Sequence, residues 1–187
     1  MRLDAFDTQD FDRGSSRLVE ALWLAISWLF VDSWLPGSAL RAFWLRLFGA
    51  RIGGGARLKP RLRVKFPWRL AVGDHVWLGE GVWIDNLAPV TVGDHCCISQ
   101  GAYLCTGSHD WSRADFALTV APITLEDQCW VGARAVLGPG ITVHQGAVLG
   151  LGGIALTDLE PWSVYLGNPA TKVRSRHEEP ATARAES

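Results

Sequence analysis

From Leu125 to Ile154 the chain reads LEDQCW VGARAV LGPGIT VHQGAV LGLGGI, five six-residue blocks that each open on Leu or Val. Carried towards the N-terminus, the same frame opens on Val72, Leu78 and Ile84, then on Val92, Ile98 and Leu104. With Leu125, Val131, Leu137, Val143 and Leu149, every opening residue is aliphatic, and weaker copies begin at Ile52 and Leu58. The second position is Gly at 73, 79, 93, 132, 138 and 150, and the fifth is compact or β-branched, as at Val76, Cys96, Ala102, Ala135 and Ala147. A helix would repeat near 3.6 residues and a simple strand at two. A period of six fits a short strand followed by a tight corner, with Gly supplying backbone freedom and the fifth side chain needing little interior room. The expected fold is mainly β, a solenoid of stacked coils whose two open ends need covers.

The 187 residues allow one domain with a core and short extensions. Eighteen basic and nineteen acidic side chains give a net charge of −1 and read as interspersed, so nucleic acid is not an expected partner. Cys96, Cys97, Cys105 and Cys129 lack zinc-site spacing, and two are adjacent. They read as free, buried thiols suited to a reducing cytoplasm. Asp4, Asp7, Asp10 and Asp12 precede the first apolar run, which argues against a secretory signal. That run, Ala21 to Val31, would reach about 16 Å as a helix, against a hydrocarbon core of roughly 30 Å. No membrane span is expected.

The expected organisation is a polar leader and N-terminal helical segment over 1–50, a β-helix over 51–170, and a C-terminal cap with a disordered tail over 171–187. The helical stretch, 18–48, is broken at Pro36-Gly37 and its first piece is apolar almost all round. Such a helix is expected to pack on the rest of the protein or on a neighbouring subunit. Trp and Arg at its apolar edge leave peripheral membrane contact through 18–48 as the alternative.

Two interruptions of the period point to function. Two residues are extra between Ile84 and Val92, and fifteen between Leu104 and Leu125. Insertions in a solenoid emerge as loops and often carry its chemistry. The long loop, 109–122, is introduced by Thr106-Gly107-Ser108-His109-Asp110-Trp111 and returns through Pro122-Ile123-Thr124. His75 and His95 share the fourth position and are expected to stack at one solvated corner, with Gln128 next in the column. His144 is expected on a turn and His177 in the charged tail. His109 alone stands at the mouth of the loop.

The repeat resembles that of the hexapeptide-repeat acyltransferases. The stretch at 106–110, with Pro122-Ile123, Trp130-Val131-Gly132-Ala133 and Gly167-Asn168-Pro169-Ala170, resembles their colanic-acid acetyltransferases. It is also similar to the maltose, galactoside and nodulation-factor acetyltransferases, and the resemblance covers about residues 35 to 174. It implies a left-handed parallel β-helix with three hexads per coil, a homotrimer, and acetyl-CoA as co-substrate with no metal required. The implied reaction is acetylation of a sugar hydroxyl, in exopolysaccharide or other surface-glycan biosynthesis in the cytoplasm. By the same resemblance His109 is the general base, and a backbone N–H near Gly132 or Ala133 is the oxyanion donor. CoA would run past Trp130, Gly132, Ala133, Gly150, Leu151 and Gly152, with its adenine and phosphates near Thr157, Thr171, Lys172 and Arg174. Zinc sites of the carbonic-anhydrase type on this fold carry an in-coil pair of histidines five residues apart, and that pair is missing here.

Counting in register places Asp85 and Asn86 beneath Cys105 and Thr106, so these two, with Asp110, are the candidates for binding acceptor hydroxyls. Turn formation is the competing reading of Asp85-Asn86. Cys105, four residues before His109, offers a second route through an acyl-cysteine. A non-catalytic trimeric assembly or binding module is the alternative from a different functional class.

Overall fold

A computed structural model describes residues 3–6 and 11–176. Its centre is a three-sided parallel β-helix. The first face stacks Arg51–Ile52, Leu70–Val72, Val90–Val92, Ile123–Leu125 and Thr142–Val143. The second stacks Arg57–Leu58, Trp77–Leu78, Cys97–Ile98, Trp130–Val131 and Val148–Leu149, then Ser163–Leu166 and Thr171–Ser175. The third stacks Arg63–Val64, Trp83–Asp85, Tyr103–Cys105, Val136–Leu137 and Ile154–Ala155. Successive coils stack in sequence order, as where Leu104 lies between Ile84 on one side and Leu137 on the other.

The period of six has a clear physical origin. All eleven opening residues from Val72 to Leu149 are buried, as are the earlier Ile52 and Leu58. They form one continuous apolar column together with fifth-position residues such as Val76, Ala102, Cys129 and Ala147. The fourth position turns the corner. Gly55, Arg61, His75, Gly81, His95, Gly101, Gln128, Arg134, Gly140, Gly146 and Gly152 all have positive φ. The second-position glycines do not belong to that group, which corrects the reason expected for them. They are needed for close approach: a Cβ on Gly132 would sit 2.6 Å from the carbonyl carbon of Gly150 in the next coil. A Cβ on Gly73 or Gly93 would strike the carboxylate of Asp94 or Asp127.

Those carboxylates form a ladder between the first and second faces. The Oδ1 of Asp74 accepts from Gly54 N–H at 2.6 Å, that of Asp94 from Asp74 N–H at 2.7 Å, and that of Asp127 from Asp94 N–H at 2.8 Å. His75 and His95 stack on this same corner, ring centroids 5.2 Å apart, as their shared register position anticipates. The four cysteines are free. Cys96 and Cys129 are buried, whereas Cys97 and Cys105 are only half-buried.

The N-terminal end of the prism is covered by two helices, α1 (Arg17–Ile26) and α2 (Ser38–Leu47), joined through a π-helical turn at Ser27–Val31. Ser16 caps α1 by accepting from Val19 N–H. Trp23 is fully buried and donates from its indole to the Val64 carbonyl at 2.9 Å, tying α1 to the first coil. Arg41 is also fully buried. Its guanidinium donates to the carbonyls of Val31, Ser33, Leu35 and Gly37, satisfying the irregular link between the helices.

Burial of an all-round apolar helix, the expectation for this segment, is met only in part. Of α1, Trp23 alone is buried, while Leu18, Leu22 and Leu24 are exposed. A ten-residue helix laid across the end of a narrow prism can press only one stripe against it. Charge, too, departs from the interspersed reading. Residues 11–69 hold eleven Lys and Arg against three carboxylates, and 70–176 hold five against ten.

At the other end, Ser163–Leu166 and Thr171–Ser175 form an antiparallel hairpin around Gly167-Asn168-Pro169-Ala170, whose Asn168–Pro169 peptide is cis. Arg176 fastens it by donating to the carbonyls of Gln128 and Gly146 while its guanidinium lies over Trp162. His177 and the expected tail lie outside the described residues.

Candidate active site

The long insertion leaves the corner between the third and first faces. Where a loop over 109–122 was expected, an antiparallel arm projects, Gly107–His109 pairing with Leu118–Val120. Thr106 anchors its base. That residue is fully buried, its hydroxyl donating to the Asp85 carbonyl and accepting from Ala88 N–H, both at 2.9 Å. The two-residue bulge after Ile84 and the arm are thereby clamped together, so the two interruptions of the repeat form one structural unit.

His109 is the last residue of the outgoing strand, half-buried. Its Nδ1 lies 2.8 Å from the carbonyl oxygen of Phe116. A carbonyl only accepts, so Nδ1 carries the proton and Nε2 keeps a lone pair. The Phe116 ring lies parallel on the imidazole with centroids 4.2 Å apart, and Phe6 meets it edge-on at 5.2 Å. Phe116 adopts φ +50°, the conformation that lets one residue present both its carbonyl and its ring to His109. The chemistry available is that of an oriented imidazole whose Nε2 is able to take a proton.

Asp110 does not orient that imidazole. Its Oδ1 accepts from Ser112 N–H at 2.9 Å and from the Ser112 hydroxyl, and these donors hold its carboxyl below the usual carboxylate range. Its backbone N–H donates to Ala117. Asp110 thus shapes the arm's turn, with its remaining oxygen open to solvent contacts.

Asp85 lies directly beneath Cys105, as the register count anticipates. It accepts from the Tyr103 hydroxyl at 3.2 Å and pairs with Lys65 at 3.1 Å. Burial first, and the neighbouring Cys105 and Asp85, push the Tyr103 hydroxyl well above its ordinary pKa, so it stays a proton donor. Tyr103 stacks on Trp83 at 4.5 Å, and Arg63 lies over the outer face of Trp83. Asp85, Lys65, Trp83 and Arg63 line a groove along the third face whose far wall is Leu24 and Trp28 of the N-terminal cap.

Asn86 is a correction. It is fully buried, accepting from Phe66 N–H at 2.9 Å and donating to the Phe66 carbonyl at 2.6 Å. Its amide mimics a strand partner for the coil below and has no donor or acceptor turned to an acceptor sugar. Neither residue forms a turn: Asp85 ends the strand Trp83–Asp85, and Asn86 bonds to Phe66 in the neighbouring coil.

The remaining candidates fall mostly at a different corner. Gly132 and Ala133, and Gly150, Leu151 and Gly152 one coil on, form the turns between the second and third faces. Trp130 leads into them, its indole donating to Ser99 Oγ at 2.9 Å. The Gly132 N–H already donates to the Leu149 carbonyl at 2.7 Å. Among the described residues the Ala133 N–H has no backbone acceptor. Leu151 is 76 % exposed. Thr171, Lys172 and Arg174 lie on the outer strand of the C-terminal hairpin, all exposed, and Lys172 is engaged with Glu160 at 2.6 Å. Thr157 stands apart from this group, beyond Ile154–Ala155 at the corner that carries the arm.

Sequence reasoning missed Phe116, Trp83 and Tyr103. Phe116 carries no pattern of its own, because its role comes from a turn seven residues beyond His109. The two aromatics occupy outward positions immediately before the buried Ile84 and Leu104, and so were legible as exposed aromatics of one column. Among the described residues there is no group of three or more His, Cys, Asp or Glu side chains arranged to hold a metal.

Residues 122–157 match the family model described as hexapeptide repeat of succinyl-transferase. The chain is 36% identical over 178 residues to "Putative colanic acid biosynthesis acetyltransferase WcaF" of Escherichia coli (strain K12), covering 94% of this chain and 97% of that protein. It is 26% identical to the galactoside O-acetyltransferase of the same organism, over 67% of this chain and 63% of that one. Among solved structures, a hexapeptide-repeat-containing acetyltransferase from Vibrio cholerae O1 biovar eltor, complexed with acetyl coenzyme A, superposes with a TM-score of 0.79. That likeness, at 23% identity, covers 88% of this chain and 92% of the other and concerns the fold.

Proposed function

The chain belongs to the acetyl-CoA-dependent hexapeptide-repeat acetyltransferases, and within that family we propose that it acetylates a sugar hydroxyl in surface-glycan synthesis in the cytoplasm, with His109 as general base. The observation that carries this reading is the hydrogen bond from His109 Nδ1 to the Phe116 carbonyl, which leaves Nε2 as the acceptor.

In the proposed step Nε2 takes the proton of the sugar hydroxyl as its oxygen attacks the thioester carbonyl. The developing oxyanion accepts from the Ala133 N–H. Collapse expels the CoA thiolate, which recovers the proton from Nε2, leaving an acetyl ester and free CoA. Base assistance of this kind contributes roughly 10²- to 10⁴-fold. Asp85, the Tyr103 hydroxyl and the exposed edge of Trp83 form the acceptor side, with Asp110 at its rim; a carboxylate beside an aromatic edge suits a polyol.

Within one chain the arm and the Gly132–Gly150 turns occupy different corners of the prism. Reacting atoms must come within about 3–3.5 Å, so a closed site needs the turns of one protomer beside the arm of its neighbour. A homotrimer of prisms packed side by side supplies that arrangement. CoA would then lie against Trp130, Gly132, Ala133 and Gly150–Gly152, along the turn where Leu151 is exposed and a Cβ on Gly152 would meet nothing within 4 Å. Arg174, Lys172, Thr171 and the neighbour-side Thr157 would approach its phosphates and adenine.

The test is release of CoA thiol from acetyl-CoA with a panel of free sugars and lipid-linked oligosaccharides. Acceptor-dependent release is expected. A purified trimer that shows no acetyl-CoA binding by calorimetry would point instead to a non-catalytic assembly module.

A further inference from the structure

The N-terminal end of the prism joins two features that the proton transfer at His109 does not use. Its outer surface, formed by α1, the π-helical turn and α2, exposes Leu18, Leu22, Trp28, Trp34, Phe43 and Leu47. Trp28 is 73 % and Trp34 64 % exposed. Immediately above, the first coil carries outward cations on all three faces: Arg51 on the first, Arg57 and Lys59 on or beside the second, Arg63 and Lys65 on or beside the third. With the described carboxylates, Arg51, Arg57 and Lys59 form no ion pair, whereas Arg61 and Arg63 share Asp32 and Lys65 pairs with Asp85. Among the described residues no helix is long and apolar enough to cross a membrane.

We propose that this end of the prism docks on an anionic lipid bilayer, the apolar cap entering the headgroup boundary and the first-coil cations meeting lipid phosphates. The layering supports this occupant over a protein one. Trp side chains at the edge of an apolar surface, backed by a girdle of Lys and Arg, match the order of a bilayer from acyl boundary to headgroup. The charge asymmetry complements an anionic surface, since the cap and first coil are basic and the remaining coils acidic. A polybasic surface is attracted to such a membrane through its Lys and Arg side chains.

The geometry also bears on the acceptor, and this step rests on the reading of His109 given above. Lys65, Asp85 and Cys105 are in register on successive coils, so the arm emerges two coils above the cationic girdle. At the strand spacing of about 4.8 Å that is roughly 10 Å. An acceptor sugar held at the membrane by its own lipid anchor would then lie at the height of His109.

Co-sedimentation of the full chain with phosphatidylcholine vesicles, with and without phosphatidylglycerol, tests the docking without acetyl-CoA or acceptor. Binding to the anionic vesicles is expected, at least about tenfold tighter than to the neutral ones and weakened by salt. Arg57→Glu/Lys59→Glu and Trp28→Ser/Trp34→Ser should each lower the anionic partition at least tenfold, with circular dichroism unchanged. Equal or absent binding to both vesicle types would overturn the proposal. So would a Trp28→Ser/Trp34→Ser variant that loses its oligomeric state but keeps its vesicle partition, because the cap would then cover a second copy. Failure of vesicle binding alongside acceptor-dependent thiol release would remove the docking and leave the transferase reading standing.

Discussion

The carbonyl oxygen of Phe116 lies 2.8 Å from Nδ1 of His109 while the Phe116 ring covers the same imidazole, so a single residue fixes both the tautomer and the tilt of the proposed base. The two contributions can be separated. Phe116→Gly keeps the carbonyl, suits φ +50° and deletes the stack. An aromatic stack is worth about 0.5–1.5 kcal/mol, so kcat should fall roughly two- to tenfold with the acceptor KM little changed. Steady-state kinetics with varied acceptor reads this directly.

The acid ladder predicts an ordered pair of stability losses away from the proposed site. Asp74→Ala removes one acceptor for the Gly54 N–H and should cost about 0.5–1.5 kcal/mol, lowering Tm by roughly 2–4 °C per kcal/mol in a chain of this size. Gly73→Ala should cost more, because its Cβ meets the Asp94 carboxylate and the backbone of the next coil. Thermal unfolding of the two variants checks the order.

Arg41→Met should destabilise the cap by about 3 kcal/mol or more. The variant leaves four carbonyls that the guanidinium now serves, and unsatisfied buried polar groups each cost about 1–3 kcal/mol. Proteolysis should then begin in the link at 32–37 before it reaches the coils. Uniform loss of protection along the chain would show that the cap is not a separate unit of stability.

Glu126 links pH to stability. Gln145 N–H donates to it at 2.7 Å and His144 lies 3.1 Å away, and these partners, the backbone donor first, lower its pKa. A depressed folded pKa means stabilisation that is complete above the unfolded carboxylate's ordinary value of about 4.3 and lost as pH falls through the folded value. Glu126→Gln should therefore be less stable than the parent at neutral pH and converge with it in acid. Tm measured across pH 3 to 7 checks the convergence.

Cys105 donates to the Gly107 carbonyl at 3.1 Å at the base of the arm. Cys105→Ser keeps a donor there and should turn over at close to the parent rate. A collapse of the rate, with an acetylated thiol trapped on the parent, would favour the acyl-cysteine route over direct transfer.

The coil was legible because its cause is local and repeated. A buried aliphatic residue opens each hexad and a positive-φ residue closes each uninterrupted corner from Ile52 to Leu149, so Leu78, Ile98 and Val131 announce one another from 20 to 33 residues apart. The close-approach role of Gly73 and Gly132 was not legible, since the clashing atoms belong to the next coil. At the site, the position of His109 followed from the break in the period, and the register placed Asp85 under Cys105 correctly. The inward turn of Asn86 did not follow, because a buried amide and a solvated one have the same letter, and only Phe66 beneath it decides between them. The exposure of α1 depended on how much prism end was available to cover it, a quantity carried by no single stretch of sequence.

The central claim is that the Nε2 lone pair of His109 takes the acceptor's proton. Turnover of His109→Ala and His109→Gln, measured by thiol release with the best acceptor of the panel, tests it most directly, with analytical ultracentrifugation confirming the parent assembly. A loss of roughly 10²- to 10⁴-fold in kcat, with acetyl-CoA affinity retained, is the predicted result. Undiminished turnover in either variant would contradict it.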